Sequence, residues 1–411
     1  MSSKVLTSLH PTPRVTLKAG HVRPVFFGHP WVFQQAIDRI EGGPQAGDEV
    51  EVVDPQGNLL GTGLFSPKSA IAVRLFTRLS QPIEGDLLRR RMTAAKDLRA
   101  AIGLPSRERG RETTGFRLVH GEGDRLPGLI VDVFGDVVAV QMNTIGIKRR
   151  EGIVFEVLHE LLAPRAILDR TPESVKRLEG FTPSSGIVRG DASLEKVSFV
   201  ERGFRFDLPT TAGQKTGYYF DQRELRDRVE RIARGKSVLD TYSFVGGFAL
   251  AAARGEANEV LAVDESAEAV ALGAEISHAN GLGDRISFVR QDSLRALGDA
   301  SSKGGYDLVL CDPPKLAPSR ANKDAALQSY RKIARASARA TKADGTLVFS
   351  SCSGAVSMED LVRIVATGAA DARMQATVLE RCTQGPDHPV PAAFPEGLYL
   401  KSVIVHLSPL D

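Results

Sequence analysis

SVLDTY (237–242), EVLAVD (259–264), RISFVRQD (285–292), YDLVLCD (306–312) and GTLVFSSCS (345–353) follow one another in the back half of the chain. Each run is apolar almost without interruption, as suits a strand buried on both faces of a parallel sheet. Ala-rich helical stretches separate them, such as SAEAVALGAEISHAN (266–280) and KDAALQSYRKIARASARAT (323–341). This alternation predicts an open, doubly wound α/β sheet. LYLKSVIVHL (398–407) predicts a last strand at an antiparallel edge.

Upstream the rhythm is different. EGDLLRRRMTAAKDLRAAI (84–102) reads as a helix closed by Gly103 and Pro105. Residues 115–144 hold two or three strands with a turn at Gly135-Asp136, then come a helix near 148–162, a short strand at 166–171 and a hairpin at 199–211. The unit reads as α+β, with strands and helices segregated. Nearer the start, DEVEVVD (48–54), LLGTGLFSP (59–67) and AIAVRLF (70–76) are short strands, the first two joined through Asp54, Pro55, Gly57 and Asn58. They predict a small β-barrel that binds rather than catalyses. The expected domains are 12–80, 84–211 and 212–411.

A chain of 411 residues suits two or three domains at roughly 150 residues each. With 42% hydrophobic and 25% charged residues it is neither disordered nor collagen-like. No run approaches the roughly 18 apolar residues of a membrane span, and the first twenty residues lack the apolar core of a signal peptide. Three cysteines without metal-ligand spacing (Cys311, Cys352, Cys382) argue against disulfides and a zinc cluster. The expected compartment is the cytoplasm, with no membrane and no metal. Residues 1–236 carry a net +7 and residues 237–411 a net −4. That asymmetry points to nucleic acid at the front half, where Arg89-Arg90-Arg91 and Lys148-Arg149-Arg150 are candidate phosphate contacts or solvated helix faces.

In such a sheet, ligands sit at the carboxyl ends of the strands. The first strand ends in Asp240-Thr-Tyr242-Ser-Phe244-Val-Gly246-Gly247-Phe248, whose paired glycines allow close approach but do not form a GxGxxG phosphate cradle. Asp264 ends the second strand, where an acid commonly accepts ribose hydroxyls, and Asp292 ends the third, on the adenine side. The set describes an adenosine-bearing ligand without phosphates, and S-adenosylmethionine fits it better than NAD. The fourth strand ends in Asp312-Pro313-Pro314-Lys315, where the prolines stiffen a turn that aims carbonyls into the cleft. Lys315 stands where amine-methylating enzymes carry a stacking aromatic, which counts against amine methylation.

The fifth strand ends in Ser351-Cys352-Ser353. Carbon 5 of a pyrimidine is a poor nucleophile until a thiolate adds to carbon 6 and makes it enamine-like. Cys352 stands where that thiolate is needed, and Asp312 where a carboxyl could hydrogen-bond or protonate N3. A strand-end cysteine is also a common packing residue. Cys311 faces the other side of its strand, under a helix.

GYYFDQR (217–223), DTYSFVGGF (240–248), DPPK (312–315), SCSG (351–354), the DHP…PEGLYLK segment (387–401) and GHPWVF (28–33) resemble the ribosomal RNA large subunit methyltransferase I family nearly end to end. The resemblance implies an N-terminal PUA domain, a central α+β domain and a Rossmann-like methyltransferase domain. It implies a cytoplasmic enzyme, a homodimer, that forms 5-methylcytosine in 23S ribosomal RNA with S-adenosylmethionine. By resemblance Cys352 is the nucleophile, and Gln222-Arg223 packs over the cofactor beside the glycine turn. Many RNA cytosine-5 methyltransferases carry a second cysteine after Asp-Pro-Pro. Lys315 occupies that place here, and it is expected to lower the Cys352 pKa or to contact a phosphate. His388 borders the base pocket or caps a loop; His29 and Trp31 read as local barrel residues. Two other readings stay open: a methyltransferase of another base or target, and a non-catalytic RNA-binding ribosome-assembly factor. An NAD-dependent oxidoreductase fails on the glycine pattern.

Overall fold

The computed structural model of the chain describes residues 12–211, 217–316 and 322–410. The N-terminal module is a six-stranded sheet of β1 (Arg14–Leu17), β2 (Trp31–Phe33), β3 (Ile37–Glu41), β4 (Glu49–Val53), β5 (Leu59–Phe65) and β6 (Ile71–Thr77), with the short helix α1 (Val22–Phe26) after β1. The strand order is β2-β6-β5-β4-β1-β3. Asp54 makes the β4–β5 turn by accepting the N–H groups of Gln56 and Asn58 at 2.9 and 2.8 Å. Beta-strand β6 presses closely on β5: a Cβ on Gly63 would lie 2.5 Å from the Arg74 carbonyl oxygen. Since backbone cannot swing aside as a side chain can, Gly63→Ala is expected to destabilise this module by about 1–3 kcal/mol. The fluorescence of Trp31, the chain's single tryptophan, reports that loss in thermal unfolding.

The central unit contains α2 (Gly85–Ala101), β7 (Gly115–His120), β8 (Leu129–Phe134), β9 (Val137–Met142), α3 (Ile145–Lys148), α4 (Glu151–Leu162), β10 (Ala166–Asp169), α5 (Val175–Leu178) and β11 (Gly186–Gly190). Its sheet has the order β11-β10-β9-β8-β7. Helix α4 connects β9 to a parallel β10, so strands and helices are not segregated as the sequence suggested; a βαβ crossover lies inside an otherwise antiparallel sheet. Leu88 and Met92 of α2 share a core with Val154 and Leu158 of α4 and Val140 of β9. The hairpin β12 (Lys196–Glu201) and β13 (Phe204–Pro209) follows. Phe199 stacks on Phe206 with centroids 5.1 Å apart. Their cluster continues through Tyr218 and Phe220 to Val229, Val238 and Leu250, so the core runs past residue 211 without a break. The expected boundary at 212 lies outside the described residues.

The last unit contains α6 (Arg223–Ile232), β14 (Ser237–Thr241), α7 (Gly247–Arg254), β15 (Glu259–Asp264), α8 (Ala267–Ala279), β16 (Ile286–Arg290), α9 (Ser293–Ser302), β17 (Tyr306–Cys311), α10 (Lys323–Ala340), β18 (Thr341–Ser351), α11 (Met358–Asp371), β19 (Met374–Thr383) and β20 (Lys401–Pro409). Their sheet order is β16-β15-β14-β17-β18-β20-β19. Strands β14 to β18 are mutually parallel, and helices cover both faces. Adjacent β14 residues divide between them: Val238 joins the core under α7 and α8, and Leu239 the one under α9, α10 and α11. The final strand, expected at an edge, lies between β18 and β19. Its run from Lys401 to Val405 is buried, whereas the edge strand β19 is largely exposed.

The second basic run joins the modules, and the first pairs within the central unit. Arg149 and Arg150 reach Asp48 and Glu49 of the N-terminal module, each at 2.8 Å. Lys148 pairs with Glu151, Arg89 with Glu160, and Arg91 is buried against the Arg125 carbonyl. Trp31 also faces this junction: its indole N–H donates to Glu122 at 2.7 Å, and its ring meets Phe394 at 4.5 Å. His29 lies 3.3 Å from Glu396. Among the described residues no helix is long and apolar enough to cross a membrane.

Candidate active site

The carboxyl ends of β14 to β18 share one edge, and the strand order reverses between β14 and β17, which opens a crevice there. Asp240, near the end of β14, is buried, and its Oδ2 accepts the N–H of Ala249 at 3.1 Å. Burial, reinforced by the like charges of Asp312 and Asp264, pushes its carboxyl well above the usual range. Three carboxyls in one crevice favour a cation and disfavour a pyrophosphate.

The loop from β14 to α7 leaves the ordinary backbone regions, with φ of +60° at Tyr242, +50° at Phe244 and +79° at Gly246. Left-handed backbone at two bulky residues costs about 1–3 kcal/mol each and concentrates at ligand sites. Gly246 admits no side chain, because a Cβ would stand 2.6 Å from the Phe288 ring. Asp264 steadies the loop by accepting the N–H groups of Phe244 and Ser266, each at 2.9 Å. Gln222 donates to Asp312 Oδ2 at 2.8 Å. The buried Gln222 Oε1 and Ser243 Oγ have no partner among the described residues. Orphaned polar atoms at a carboxyl-lined crevice fit a polar, cationic ligand such as S-adenosylmethionine.

Several expected residues have structural partners of their own. Arg223 is buried, and its guanidinium donates to Asp387 at 3.1 Å and to the Gly115 carbonyl at 2.9 Å. Phe248 turns into the core, with the Arg226 guanidinium 5.9 Å above its ring. Asp292 caps α9 by accepting the Arg295 N–H at 2.7 Å. His388 is buried, its Nδ1 3.0 Å from Asp387 and its ring 5.0 Å from that of His120. The contacts of Arg223 with Asp387 and Gly115, of Phe248 with Arg226 and of His388 with His120 join elements distant in sequence, which local spacing does not disclose; the Asp292 cap is local. Gly247 opens α7 against Tyr218 and Arg226.

Around Asp312 and Cys352 the structure adds residues that sequence reasoning missed. Tyr219 stacks edge-on against Phe244 at 5.5 Å, and burial plus the charges of Asp312, Asp221 and Cys352 push its phenol up. Tyr399 donates to Asp221 at 2.6 Å. Both tyrosines stood in quoted segments, so that membership was the available signal. Pro313 is buried, while Pro314 and Lys315 are exposed. Cys352 follows the last residue of β18 and is half-buried. The lysine buried beside this turn is Lys401, whose Nζ donates to the Ser353 carbonyl at 3.0 Å. Burial pushes the Cys311 thiol up to about 12, which leaves it inert. Among the described residues no group of three or more His, Cys, Asp or Glu is arranged to hold a metal ion.

Two families match the chain: a PUA-like domain over residues 15–78 and an S-adenosylmethionine-dependent methyltransferase over residues 179–400. The second begins ahead of the β12–β13 hairpin. The chain is 33% identical over 393 residues to the ribosomal RNA large subunit methyltransferase I of Erwinia tasmaniensis, covering 95% of this chain and 98% of the relative. It is 34% identical over 396 residues to the protein of the same name from Pseudoalteromonas translucida, covering 96% and 99%. A solved chain from Streptococcus mutans, described as a SAM-dependent methyltransferase, superposes with a TM-score of 0.82 at 18% identity, covering 96% of this chain and 99% of that one. SMU.776, a structure described as complexed with SAH, superposes with the same TM-score at 19% identity and the same coverage.

Proposed function

Because the chain belongs to the ribosomal RNA large subunit methyltransferase I family and carries an S-adenosylmethionine-dependent methyltransferase domain, we propose that it forms 5-methylcytosine in 23S ribosomal RNA through a covalent adduct between Cys352 and carbon 6. The observation that carries this reading is the placement of half-buried Cys352 and Asp312 at the ends of the adjacent strands β18 and β17.

S-adenosylmethionine supplies an electrophilic methyl group on a sulfonium. The carboxyl oxygens of Asp240, Asp264 and Asp312 provide the polar, electron-rich surroundings that a sulfonium requires, and the Gly246-Gly247 turn permits close approach. Asp264 accepts the ribose hydroxyls with the lone pairs its two backbone N–H partners leave free. Asp264→Ala is expected to weaken S-adenosylmethionine binding about tenfold or more by titration calorimetry, since hydrogen bonds to a charged group contribute about 1.5–3 kcal/mol.

The target cytosine leaves its stack, at a cost of a few kcal/mol, to reach Cys352. The thiolate adds to carbon 6 while Asp312, held by Gln222 and carrying a proton, donates it to N3 and draws electron density from the ring. Carbon 5 then takes the methyl group as the methyl–sulfur bond breaks to leave a neutral thioether, its proton passes to water, and the Cys352 sulfur departs as a thiolate. The Asp312-Pro313-Pro314 turn holds the base edge, with exposed Lys315 at the RNA side.

The test is nucleoside mass spectrometry of undermethylated 23S RNA after incubation with the enzyme and S-adenosylmethionine. New 5-methylcytidine is the expected product. A different methylated nucleoside overturns the cytosine assignment.

A further inference from the structure

Lys401, the first residue of β20, is 2% exposed and stands across the ladder from Ser351. Its Nζ donates to the carbonyl of Ser353 at 3.0 Å. The residue between its strand partner and its hydrogen-bond partner is Cys352. No carboxylate among the described residues forms an ion pair with Lys401. Asp360 of α11 contributes to its field, yet that carboxylate is paired with Lys323 at 2.6 Å. A buried ammonium satisfied by one neutral carbonyl is unfavourable, and an anion beside it relieves the cost.

We propose that Lys401 is the positioning cation of this active site: its ammonium pairs with the Cys352 thiolate and holds the cysteine in its nucleophilic form. This inference rests on the reading of Cys352 as nucleophile, and assigns the activating cation to Lys401 instead of exposed Lys315. Ionisation sends the thiol proton to solvent, Lys401 keeps its own protons, and the sulfur retains the electron pair that bonds to carbon 6.

The electrostatics agree with the geometry. Burial lowers the Lys401 pKa to about 8, while Cys352 works in the opposite direction and favours the ammonium. The other groups around the thiol include Asp312, at the end of the adjacent strand and held by Gln222, Tyr330 of α10, whose hydroxyl lies 2.9 Å from Ser353 Oγ, and Tyr219. Burial raises both phenols, so at neutral pH neither competes for the proton.

The test is the rate of Cys352 alkylation by iodoacetamide against pH, followed by peptide mass spectrometry on the full chain. Cys382, pushed up to about 11 chiefly by burial, serves as an internal reference. Wild type is expected to show a Cys352 midpoint below that of an ordinary thiol. Lys401→Met and Lys401→Gln are each expected to raise it by about one pH unit or more, slowing alkylation about tenfold near neutrality. Lys401→Arg is expected to restore most of the rate. Glutamine retains a donor for the Ser353 carbonyl without the charge, so it separates the charge from the hydrogen bond and stands in if the methionine variant does not fold. An unchanged midpoint in a folded neutral variant overturns the proposal. The measurement needs no RNA, so a product other than 5-methylcytidine would overturn the functional reading while leaving this result in place.

Discussion

Cys352→Ala is expected to abolish 5-methylcytidine formation, by roughly 10⁴-fold or more, while S-adenosylmethionine binding stays within a factor of about two. The large effect follows from the chemistry. Without a thiolate at carbon 6, carbon 5 has no electron density to take up a methyl group, and no neighbouring side chain substitutes. Cys311 lies on the adjacent strand, but it is buried and held in its neutral form. The crevice proposed for the cofactor is built from the ends of β14, β15 and β17, so truncating a side chain beyond β18 is expected to leave it standing. Mass spectrometry of the nucleosides and calorimetry of the cofactor together check both halves. Full activity in the alanine variant would assign Cys352 to packing.

The second large effect is expected at Asp387. Its Oδ2 accepts the N–H of Arg117 at 3.0 Å and the Arg223 guanidinium at 3.1 Å, its Oδ1 lies 3.0 Å from His388, and its carbonyl accepts from Arg99 at 2.8 Å. Arg117 and Arg99 come from the central unit and Arg223 from the methyltransferase unit. Removing one partner of a buried ion pair leaves the other uncompensated, at about 3–5 kcal/mol. Asp387→Asn is therefore expected to lower the unfolding free energy by about that amount at neutral pH, measured by urea denaturation. Burial alone would raise the Asp387 carboxyl, but Arg223, His388 and the Arg117 N–H outweigh it and hold it well below the ordinary range. The folded state thus binds this proton less readily than the unfolded chain. The difference between wild type and variant is full above the unfolded value of about 4, and narrows as the pH falls below it. A difference that stayed constant into acid would assign the effect to packing.

The parallel strands were legible because burial on both faces leaves an unbroken apolar run, and the acids Asp240, Asp264 and Asp312 stood out because each lies at or near the close of such a run. Strand β19 was not: MQATVLERCT carries Glu380 and Arg381 in a half-exposed edge, and one-sided burial dilutes the apolar signal. Arg223 was placed over the cofactor together with Gln222 by resemblance, and Gln222 does reach Asp312. Its actual partners, Gly115, Glu201 and Asp387, are distant in sequence. Lys401 escaped notice for a similar reason. A lysine opening a strand is ordinarily a solvated residue, and only the pairing of β20 with β18 carries it beside Cys352.

The N-terminal module is pinned to the rest of the chain through Trp31, His29, Asp48 and Glu49, by contacts that reach Glu122, Phe394, Glu396, Arg149 and Arg150. A module on a loose tether would search for its ligand and tolerate many spacings between the held strand and the reacting nucleotide. This one works as the fixed jaw of a caliper. An RNA that engaged both the module and Cys352 would have to offer two points at one set separation, so it would be selected by three-dimensional shape before any base was read.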